Sequence, residues 1–357
     1  MNLKELARHL QLSQTTVSRA LNGYPEVNEQ TRARVRQAAE ELNYRPRRHA
    51  QQLATGRSMV IGHVVTRSRH ALIAPLFADL MAGAGEAADS LGYDSHFRIV
   101  DDDLEIRHYR ELVAARRVDG VVVHGPLCRL DPRIDLLNEL RLPFIVHGQS
   151  EESADYAWLD VDNAGAMRRA TSLLIDLGHT DIGFVNGPES LHFAYRRRKG
   201  FMDALAAHGL EPNPDWIFSG PLVEHHGFAA ARALLDDGQP PTALVCAGLL
   251  PAWGVLRELL TRRLVLGRDF SIVAYDDSVS WLANRGSDCE NGAPLFTTVR
   301  SSIHLAGQRL IHHLVRSIEE PGQVTVAETL PTELVIGQST GRRPDRQAAC
   351  SMRRTSR

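Results

Sequence analysis

Beyond residue 57, short β-branched runs alternate with amphipathic stretches along almost the whole chain. The runs predict strands over Met59–Val65, Tyr93–Ile99, Gly120–Val123, Phe144–His147, Ile182–Asn186, Ala243–Cys246 and Ile272–Ala274. The stretches between them predict helices over Leu76–Leu91, Leu104–Arg117, Asn163–Leu177, Phe193–His208, Phe228–Leu235, Ala252–Arg262 and Ile303–Ile318. Such alternation is typical of parallel sheets covered by helices on both faces. Because these units are too many for one small sheet, the sequence predicts an α/β body of two doubly wound lobes, with a ligand crevice at the carboxyl ends of their strands.

Residues 1–57 form a separate basic block with three short helical patterns. The first spans Leu3–Leu10, with apolar residues at the spacing of a helix with one buried side. After a three-residue turn, the second runs from about Gln14 to Leu21, with Ser13 placed to cap it, and its outer face is polar. Asn28 caps the third. Three helices in this order predict a helix-turn-helix unit.

The second helix of such a unit lies in the major groove of DNA. Its polar row here is Gln14, Thr15, Ser18 and Arg19. Gln makes paired hydrogen bonds to adenine and Arg to guanine, so the row suits base recognition.

Charge is distributed unevenly along the chain. Residues 1–57 hold ten Lys or Arg against five Asp or Glu, and residues 341–357 hold six Arg against one Asp. The whole chain has a net charge of −2, which leaves about −12 for the middle. The basic block therefore suits phosphate contact. The alternative is an ordinary solvated basic helical face, although the helix spacing, the cap and the turn agree with the charge.

The stretch LSQTTVSRALNGYPEVNEQTRARVRQAAEELNYRPRRHAQQLA, from Leu12 to Ala54, resembles the signature of the LacI/GalR family of bacterial transcription regulators. The resemblance implies that Gln14, Thr15 and Arg19 read bases and that Ser13, Thr16 and Asn22 contact phosphates. It also implies a hinge helix over Ala50–Ala54 whose Leu53 wedges into the minor groove at the centre of the operator. An apolar wedge between base steps kinks the duplex. The alternative for Leu53 is packing against the neighbouring lobe.

The resemblance continues to about Thr340, through DVDN (160–163), LGHTDIGFVNGP (177–188), RRKGF (197–201), YDD (275–277) and FTTVR (296–300). It implies two lobes that resemble periplasmic sugar-binding proteins, with a small sugar effector in the cleft between them. The residues it assigns to the effector are Phe77, His147, Arg197, Trp216 and Asp276. A guanidinium and a carboxylate can each hold two sugar hydroxyls while an aromatic ring covers the apolar face. The alternatives are core packing for Phe77 and Trp216, and a structural ion pair between Arg197 and Asp276.

Three departures from the family pattern bear on the effector. Gly248 and Leu249 stand where the family usually has two polar residues, and Gly148 replaces a carboxylate of some members. The loop from Ser278 to Pro294 is long and carries Trp281, Asn284 and Arg285. We therefore expect a pocket with fewer polar contacts on one wall. The His-Gly step at 147–148 is similar to that of an α-glucoside-responsive branch.

The sequence patterns and the family resemblance together imply four regions. They are a helix-turn-helix domain (1–46), a hinge helix (47–57), a two-lobed effector and dimerisation domain (58–340) and a disordered Arg-rich tail (341–357). Lobe 1 is predicted over about 58–157 and 301–330, and lobe 2 over about 158–300 and 331–340.

Other chemistry has little support in the sequence. The four cysteines are scattered, and neither a Walker loop nor a GxSxG elbow is present, so no catalytic residue, metal or cofactor is expected. The N-terminus does not resemble an export signal, and no apolar stretch is long enough to cross a membrane, which predicts a cytoplasmic protein.

The resulting hypothesis is a homodimeric repressor of carbohydrate uptake or catabolism genes. Two identical heads on a two-fold axis would bind a pseudo-palindromic stretch of double-stranded DNA, and a sugar would release them. Two alternatives are left open by the sequence. In one the ligand acts as a corepressor, and in the other the chain is a sugar-metabolising enzyme with a DNA-binding head.

Overall fold

The structure, a computed structural model, describes residues 2–21, 24–42, 44, 56–150, 156–278, 280, 282, 284, 294–322 and 326–345; for 69–75 it describes the backbone alone. The predicted hinge residue Leu53 and the predicted phosphate contact Asn22 lie outside these residues.

The head consists of three helices around a small core. They are α1 (Leu3–Leu10), α2 (Gln14–Leu21) and α3 (Glu29–Glu41). Each has its amino-terminal amides capped by a side chain: Asn2 accepts from the Glu5 amide, Ser13 from the Thr16 amide at 3.0 Å, and Asn28 from the Thr31 amide. These caps satisfy donors that the helices themselves leave unpaired. The core is formed by Leu6, Ala7, Leu10, Val17, Ala20, Val27, Val35, Ala38, Ala39 and Tyr44.

The body contains two six-stranded sheets. The first lobe is built from β1 (Val60–Thr66), α4 (Arg67–Ser90), β2 (Asp94–Val100), α5 (Glu105–Ala114), β3 (Gly120–His124), α6 (Pro132–Glu139), β4 (Phe144–His147) and β5 (Trp158–Val161). The second is built from α7 (Asn163–Asp176), β6 (Ile182–Asn186), α8 (His192–Ala207), β7 (Ile217–Ser219), α9 (Glu224–Asp236), β8 (Ala243–Cys246), α10 (Leu249–Thr261), β9 (Ser271–Asp276) and β10 (Thr297–Arg300). The chain then returns to the first lobe with α11 (Ile303–Glu319) and β11 (Ala327–Leu330), and ends in the second with β12 (Glu333–Val335).

The strand order confirms the predicted doubly wound architecture. The first sheet has the order β11-β5-β4-β3-β1-β2 and is parallel throughout. The second has the order β12-β10-β9-β8-β6-β7, in which β12 alone runs antiparallel to its neighbour. Apolar clusters lie on both faces of each sheet, under α4 and α11, α5 and α6, α7 and α8, and α9 and α10.

The predicted lobe boundaries differ from the structure at two places. Strand β5 pairs with β4 and β11, so the first crossing follows Val161 rather than residue 157. The body also extends past Thr340, because Gly341 accepts from His179 and Arg343 forms an ion pair with Asp181 at 2.8 Å. The elements absent from the sequence prediction are α6, β5, β7, β10, β11 and β12, all eight residues long or shorter.

Helices α4 and α11 cross closely at glycines. A Cβ on Gly83 would lie 2.0 Å from the His304 carbonyl oxygen, and one on Gly307 would lie 2.1 Å from that of Leu80. This crossing covers the first sheet beside the carboxyl ends of its strands, so it positions the helices that reach the cleft.

We expect Gly83→Ala to destabilise the protein by about 1–3 kcal/mol, because the two helix backbones must separate. Gly85→Ala in the same helix is the matched control, since a Cβ there meets nothing within 4 Å. Its expected effect is a gain of up to about 1 kcal/mol from helix propensity. Urea unfolding followed by circular dichroism would measure both, and equal effects of the two changes would contradict the close crossing.

Candidate functional sites

The outer face of α2 presents the polar row predicted from the sequence. Gln14, Thr15 and Arg19 are exposed, and they line a shallow concavity together with Leu3, Ser18 and Tyr24. Ser13 is held at the start of α2, where its hydroxyl lies 2.8 Å from that of half-buried Thr16. The face therefore offers amide, hydroxyl and guanidinium groups on a helix whose other side is anchored in the head core.

Two other arginines of the head serve its own structure. Arg32 donates to the carbonyls of Tyr24 and Val27 and pairs with Glu29 at 2.6 Å. Arg34 donates to the Leu10 carbonyl at 2.7 Å. The excess of basic residues in the head is therefore partly structural, which the charge count alone does not reveal.

A cavity lies between the two lobes, where the carboxyl ends of both sets of parallel strands meet. It has a volume of about 820 Å³, including space open to solvent. Its lining comes from strand ends, from the loops after them and from helices α4, α7, α8 and α11, as expected for a doubly wound fold. The lining residues are Leu76, Phe77, Leu80, Gly125, Pro126, His147, Gly148, Asp160, Val161, Asn163, Phe193, Arg197, Leu222, Tyr275, Asp277, Ser301, Ser302, Ile303 and Ala306.

Arg197 is the central cation of this cavity. Its Nε donates to Asn163 Oδ1 at 2.8 Å, its Nη1 donates to the Ala247 carbonyl at 2.5 Å, and the residue is 4 % exposed. The guanidinium carbon lies 3.7 Å from the centre of the Tyr275 ring, a cation–π arrangement. The described contacts include no ion pair between Arg197 and Asp276. The guanidinium is thus fixed in place by neutral groups.

Two carboxylates face the cavity. Asp160, at the end of β5, accepts on Oδ1 from the Val161 amide at 2.7 Å and from the Asn163 side chain at 3.0 Å. Burial raises its pKa to about 6, against the opposing effect of Arg197. Burial also raises the pKa of Asp277 to about 6, and Asp276 adds to that increase while Arg197 opposes it. Both groups therefore lose part of their hydration without gaining a complete set of partners.

The first-lobe wall is aromatic and apolar. Phe77 is buried, and its ring lies 5.1 Å from that of Phe97 and 5.2 Å from that of His124. His147, at the end of β4, lines the cavity beside Gly148, and burial lowers its pKa to about 4. Leu76, Leu80, Ile303 and Ala306 extend the same wall. The first lobe therefore contributes most of the apolar lining, and Asp160 is its charged lining residue.

The structure brings together three of the five residues assigned to the effector, namely Phe77, His147 and Arg197. Trp216 lies outside the cavity lining because it precedes β7, at the amino end of that strand, where it packs against the apolar cluster under α9 and α10. Leu222, beyond the carboxyl end of β7, reaches the cavity instead. Strand β7 is only three residues long, so the sequence pattern did not show which end of it Trp216 occupies.

Asp276 also lies outside the cavity lining. The carboxylate expected from Asp276 in the cavity is supplied by Asp277. Side chains alternate along a strand, so Asp277 shares a face with Tyr275 whereas Asp276 points to the other side. Asp276 accepts from the Ser278 amide at 2.7 Å. Four further lining residues were not assigned to the effector from the sequence, although they lie within the DVDN and YDD motifs: Asp160, Asn163, Tyr275 and Asp277.

The departures noted in the sequence fall partly outside the cavity. Gly248 is the residue before α10, and Leu249 is buried in the cluster under that helix. Gly148 lines the cavity with φ +112°, and a Cβ there would lie 2.9 Å from Pro126. Trp281 and Arg285 lie outside the described residues, while Asn284 pairs with the backbone of Phe296 through both of its amide atoms.

Within the described part of the chain, no cluster of three or more His, Cys, Asp or Glu side chains is placed to hold a metal ion. None of the helices in that part is both long and apolar enough to span a bilayer.

Two family profiles match the chain. Residues 2–47 match "Bacterial regulatory proteins, lacI family", and residues 58–330 match "Periplasmic binding proteins and sugar binding domain of LacI family". The chain therefore belongs to the LacI family of bacterial regulatory proteins, as the head and the two-lobed body indicate.

Individual relatives agree with this assignment. The chain is 41% identical over 353 residues to the HTH-type transcriptional regulator AglR of Rhizobium meliloti (strain 1021), covering 97% of this chain and 96% of that protein. Among solved structures, a transcriptional regulator CelR–cellobiose complex is 28% identical, with a TM-score of 0.70 and 95% and 99% of the two chains covered. The lac repressor dimer bound to operator and the anti-inducer ONPF is 27% identical, with a TM-score of 0.77 and 96% and 99% coverage.

The buried carboxyl of Asp277 predicts a pH-dependent effect on stability. Its pKa is about 6 in the folded protein against an ordinary 3.8, so the folded state binds its proton first as pH falls, and this group stabilises the fold more at pH 4 than at pH 7. Asp277→Asn removes the cost of burying the charge. We expect it to raise the free energy of unfolding by on the order of 2 kcal/mol at pH 7, with the gain shrinking toward pH 4.

Urea unfolding at pH 7, 6, 5 and 4 would measure this difference. The exposed Asp103 provides the control, because Asp103→Asn should change stability little at any of these pH values. If the difference in free energy of unfolding between wild type and Asp277→Asn did not vary with pH, the pKa of Asp277 would be the same in the folded and unfolded protein, which would contradict the prediction.

Proposed function

We propose that this protein is a homodimeric transcriptional repressor that binds a pseudo-palindromic operator and is released by a neutral sugar bound in the interlobe cavity. The observation that carries the proposal is the cavity itself, which brings Arg197, Asp160 and Asp277 together with apolar and aromatic side chains. The regulated genes would be those for uptake or catabolism of the sugar. The protein would act in the cytoplasm, where its DNA lies.

The lining groups match the chemistry of a sugar. Hydroxyls donate well to ionised carboxylates and accept from a guanidinium, whereas the C–H face of the ring suits apolar side chains. Asp160 and Asp277 supply acceptors, Arg197 supplies donors, and Phe77 stands on the apolar wall.

The charge balance favours a neutral ligand. Two carboxylates face the cavity against one guanidinium, and that guanidinium already donates to Asn163 and to the Ala247 carbonyl. A sugar acid or sugar phosphate would place another negative charge beside Asp160 and Asp277, which costs energy where both groups are already poorly hydrated. An α-glucoside is the neutral sugar that we propose, and the relative solved with cellobiose makes a β-glucoside the natural comparison.

The proposed mechanism is a shift between two lobe arrangements. A sugar that binds one arrangement more tightly changes the equilibrium by its difference in affinity, and couplings of about 1–3 kcal/mol are typical. The operator-binding heads prefer the other arrangement, so the sugar lowers operator affinity. The sugar is bound and released unchanged, without catalysis.

Fluorescence anisotropy with operator DNA from the region upstream of the chain's own gene would test this function. We expect maltose, sucrose or trehalose to release the protein, and cellobiose, glucuronate and glucose 6-phosphate to act weakly or not at all. Recovery of the sugar after incubation should show it unchanged. Tighter DNA binding with sugar would identify a corepressor, and release by a charged sugar alone would contradict the proposed ligand class.

In the head, Arg19→Ala should weaken operator binding by about 1–3 kcal/mol and relax the preference at one base pair, as expected for a lost paired contact to guanine. Arg36→Ala removes the same charge from the exposed face of α3 and is the matched control. Fluorescence anisotropy would measure the affinity of both variants for the operator and for random DNA, and so distinguish a base contact from a general effect of charge. An equal loss on both DNAs for Arg19→Ala would make it a phosphate contact.

In the cavity, Asp277→Asn should weaken sugar binding by about 1.5–3 kcal/mol, which is roughly 10- to 100-fold in Kd, because a charged hydrogen-bond acceptor is lost. Asp276→Asn changes the neighbouring residue outside the cavity and should change the Kd little. Isothermal titration calorimetry would measure both. The reverse order of effects would restore Asp276 as the effector residue.

A further inference from the structure

Two loops from different lobes meet beside the cavity. Residues 126–128 follow β3 of the first lobe, and residues 190–192 lead into α8 of the second. Leu127 and Leu191 form an antiparallel bridge. The Cys128 amide donates to the Ser190 carbonyl at 3.0 Å, and the His192 amide donates to the Pro126 carbonyl at 3.1 Å. We call these two segments the interlobe clasp.

The first-lobe segment is firmly held in its own lobe. Asp131 accepts from the Leu127 amide at 3.0 Å, and the same carboxylate pairs with the buried Arg133. Arg133 also donates to the carbonyls of His124 at 2.9 Å and Gly125 at 3.1 Å. A buried ion pair with this many hydrogen bonds fixes the backbone of the loop that it supports.

The second-lobe segment is equally anchored. The Leu191 amide donates to the Pro188 carbonyl at 3.0 Å, and the Leu191 carbonyl accepts from the Ala194 amide at the start of α8. Leu191 and His192 are both buried. Because each segment is held by hydrogen bonds within its own lobe, the bridge between them forms only when the two lobes are in the matching relative position.

The clasp is continuous with the cavity on both sides. Gly125 and Pro126 line the cavity in the first lobe, and Phe193 and Arg197 line it from α8 in the second. The chain crosses between lobes elsewhere, after Val161, after Arg300 and after Leu330, so no covalent connection forces these loops together. Two hydrogen bonds are weak enough to break and re-form reversibly in water.

We propose that the interlobe clasp closes when the effector occupies the cavity and thereby couples sugar binding to the lobe arrangement that disfavours operator binding. This inference rests on the proposed function and adds the contact by which the cavity controls the lobes. Closing the clasp retains the sugar, and opening it allows the sugar to leave.

A disulfide across the clasp would test the proposal, because Cys128 lies directly opposite Ser190 in the bridge register. Opposed residues of an antiparallel pair have Cα atoms about 5.5 Å apart, within the range of about 4.4–6.8 Å for disulfides. The variant is Ser190→Cys in a background of Cys289→Ser and Cys350→Ser, with oxidised glutathione accepting the two electrons and two protons. Ser190→Ala in the same background is the matched control, since it cannot form this bond.

Three results are expected. Sugar should speed formation of the disulfide between Cys128 and the cysteine introduced by Ser190→Cys severalfold, the oxidised protein should bind operator as weakly as the sugar-bound wild type does, and a reductant should restore binding. Equal operator affinity and equal sugar response of the oxidised and reduced forms would overturn the clasp while leaving the proposed function intact. If the bond alters operator affinity but no tested sugar changes its rate of formation, the clasp is supported and the proposed effector class fails.

A second variant keeps the test independent of the disulfide. Leu127→Ser replaces the apolar side chain at the centre of the bridge with a polar one, so that water competes better for the two backbone hydrogen bonds beside it. Residue 127 does not line the cavity, and we expect severalfold faster sugar dissociation with operator affinity retained in the absence of sugar. Leu130→Ser changes a 69 % exposed leucine of the same loop and is the control. Unchanged sugar dissociation in Leu127→Ser, or no disulfide in Ser190→Cys with or without sugar, would overturn the proposal.

Discussion

The hydrogen bonds of Arg197 hold together the part of the molecule on which its function depends. The guanidinium is buried against Tyr275 and donates to Asn163 and to the Ala247 carbonyl, and Asn163 in turn donates to Asp160 of the first sheet. The two lobes are thus joined at their first crossing by a polar chain as well as by the backbone. Because Arg197 is fixed by neutral partners, Asp160 and Asp277 keep hydrogen-bonding capacity for a ligand.

Burying two ionised carboxylates at the cavity costs free energy. Burial raises the pKa of both carboxyl groups to about 6, so their ionised forms are destabilised at neutral pH. A ligand that donates hydroxyls to them recovers part of that cost. The interlobe clasp lies at the edge of the same cavity, where a small change in lobe position makes or breaks its two hydrogen bonds.

Much of the fold was predictable because long periodic segments depend on local pattern. The head helices and the parallel sheets follow from apolar spacing, caps and strand–helix alternation, whereas the return of α11 to the first lobe was implied by the family resemblance. The short elements were not predictable, since three or four residues carry too little periodicity to distinguish a strand from a loop. Because β7 was not predicted, the sequence did not show that Trp216 lies at the amino end of that strand, away from the cavity. Because the end of β9 was not predicted, the sequence did not show which of Asp276 and Asp277 faces the cavity.

The sequence by itself determined the family, the two-lobed α/β architecture, the polar face of α2 and the presence of Arg197 at the site. These depend on motifs and on spacing within single elements. Only the tertiary structure decided which carboxylates face the cavity, which wall is apolar and which loops meet across the lobes. Those properties depend on strand order and on side-chain direction at strand ends, where residues distant in the chain come together and a shift of one position turns a side chain to the opposite face.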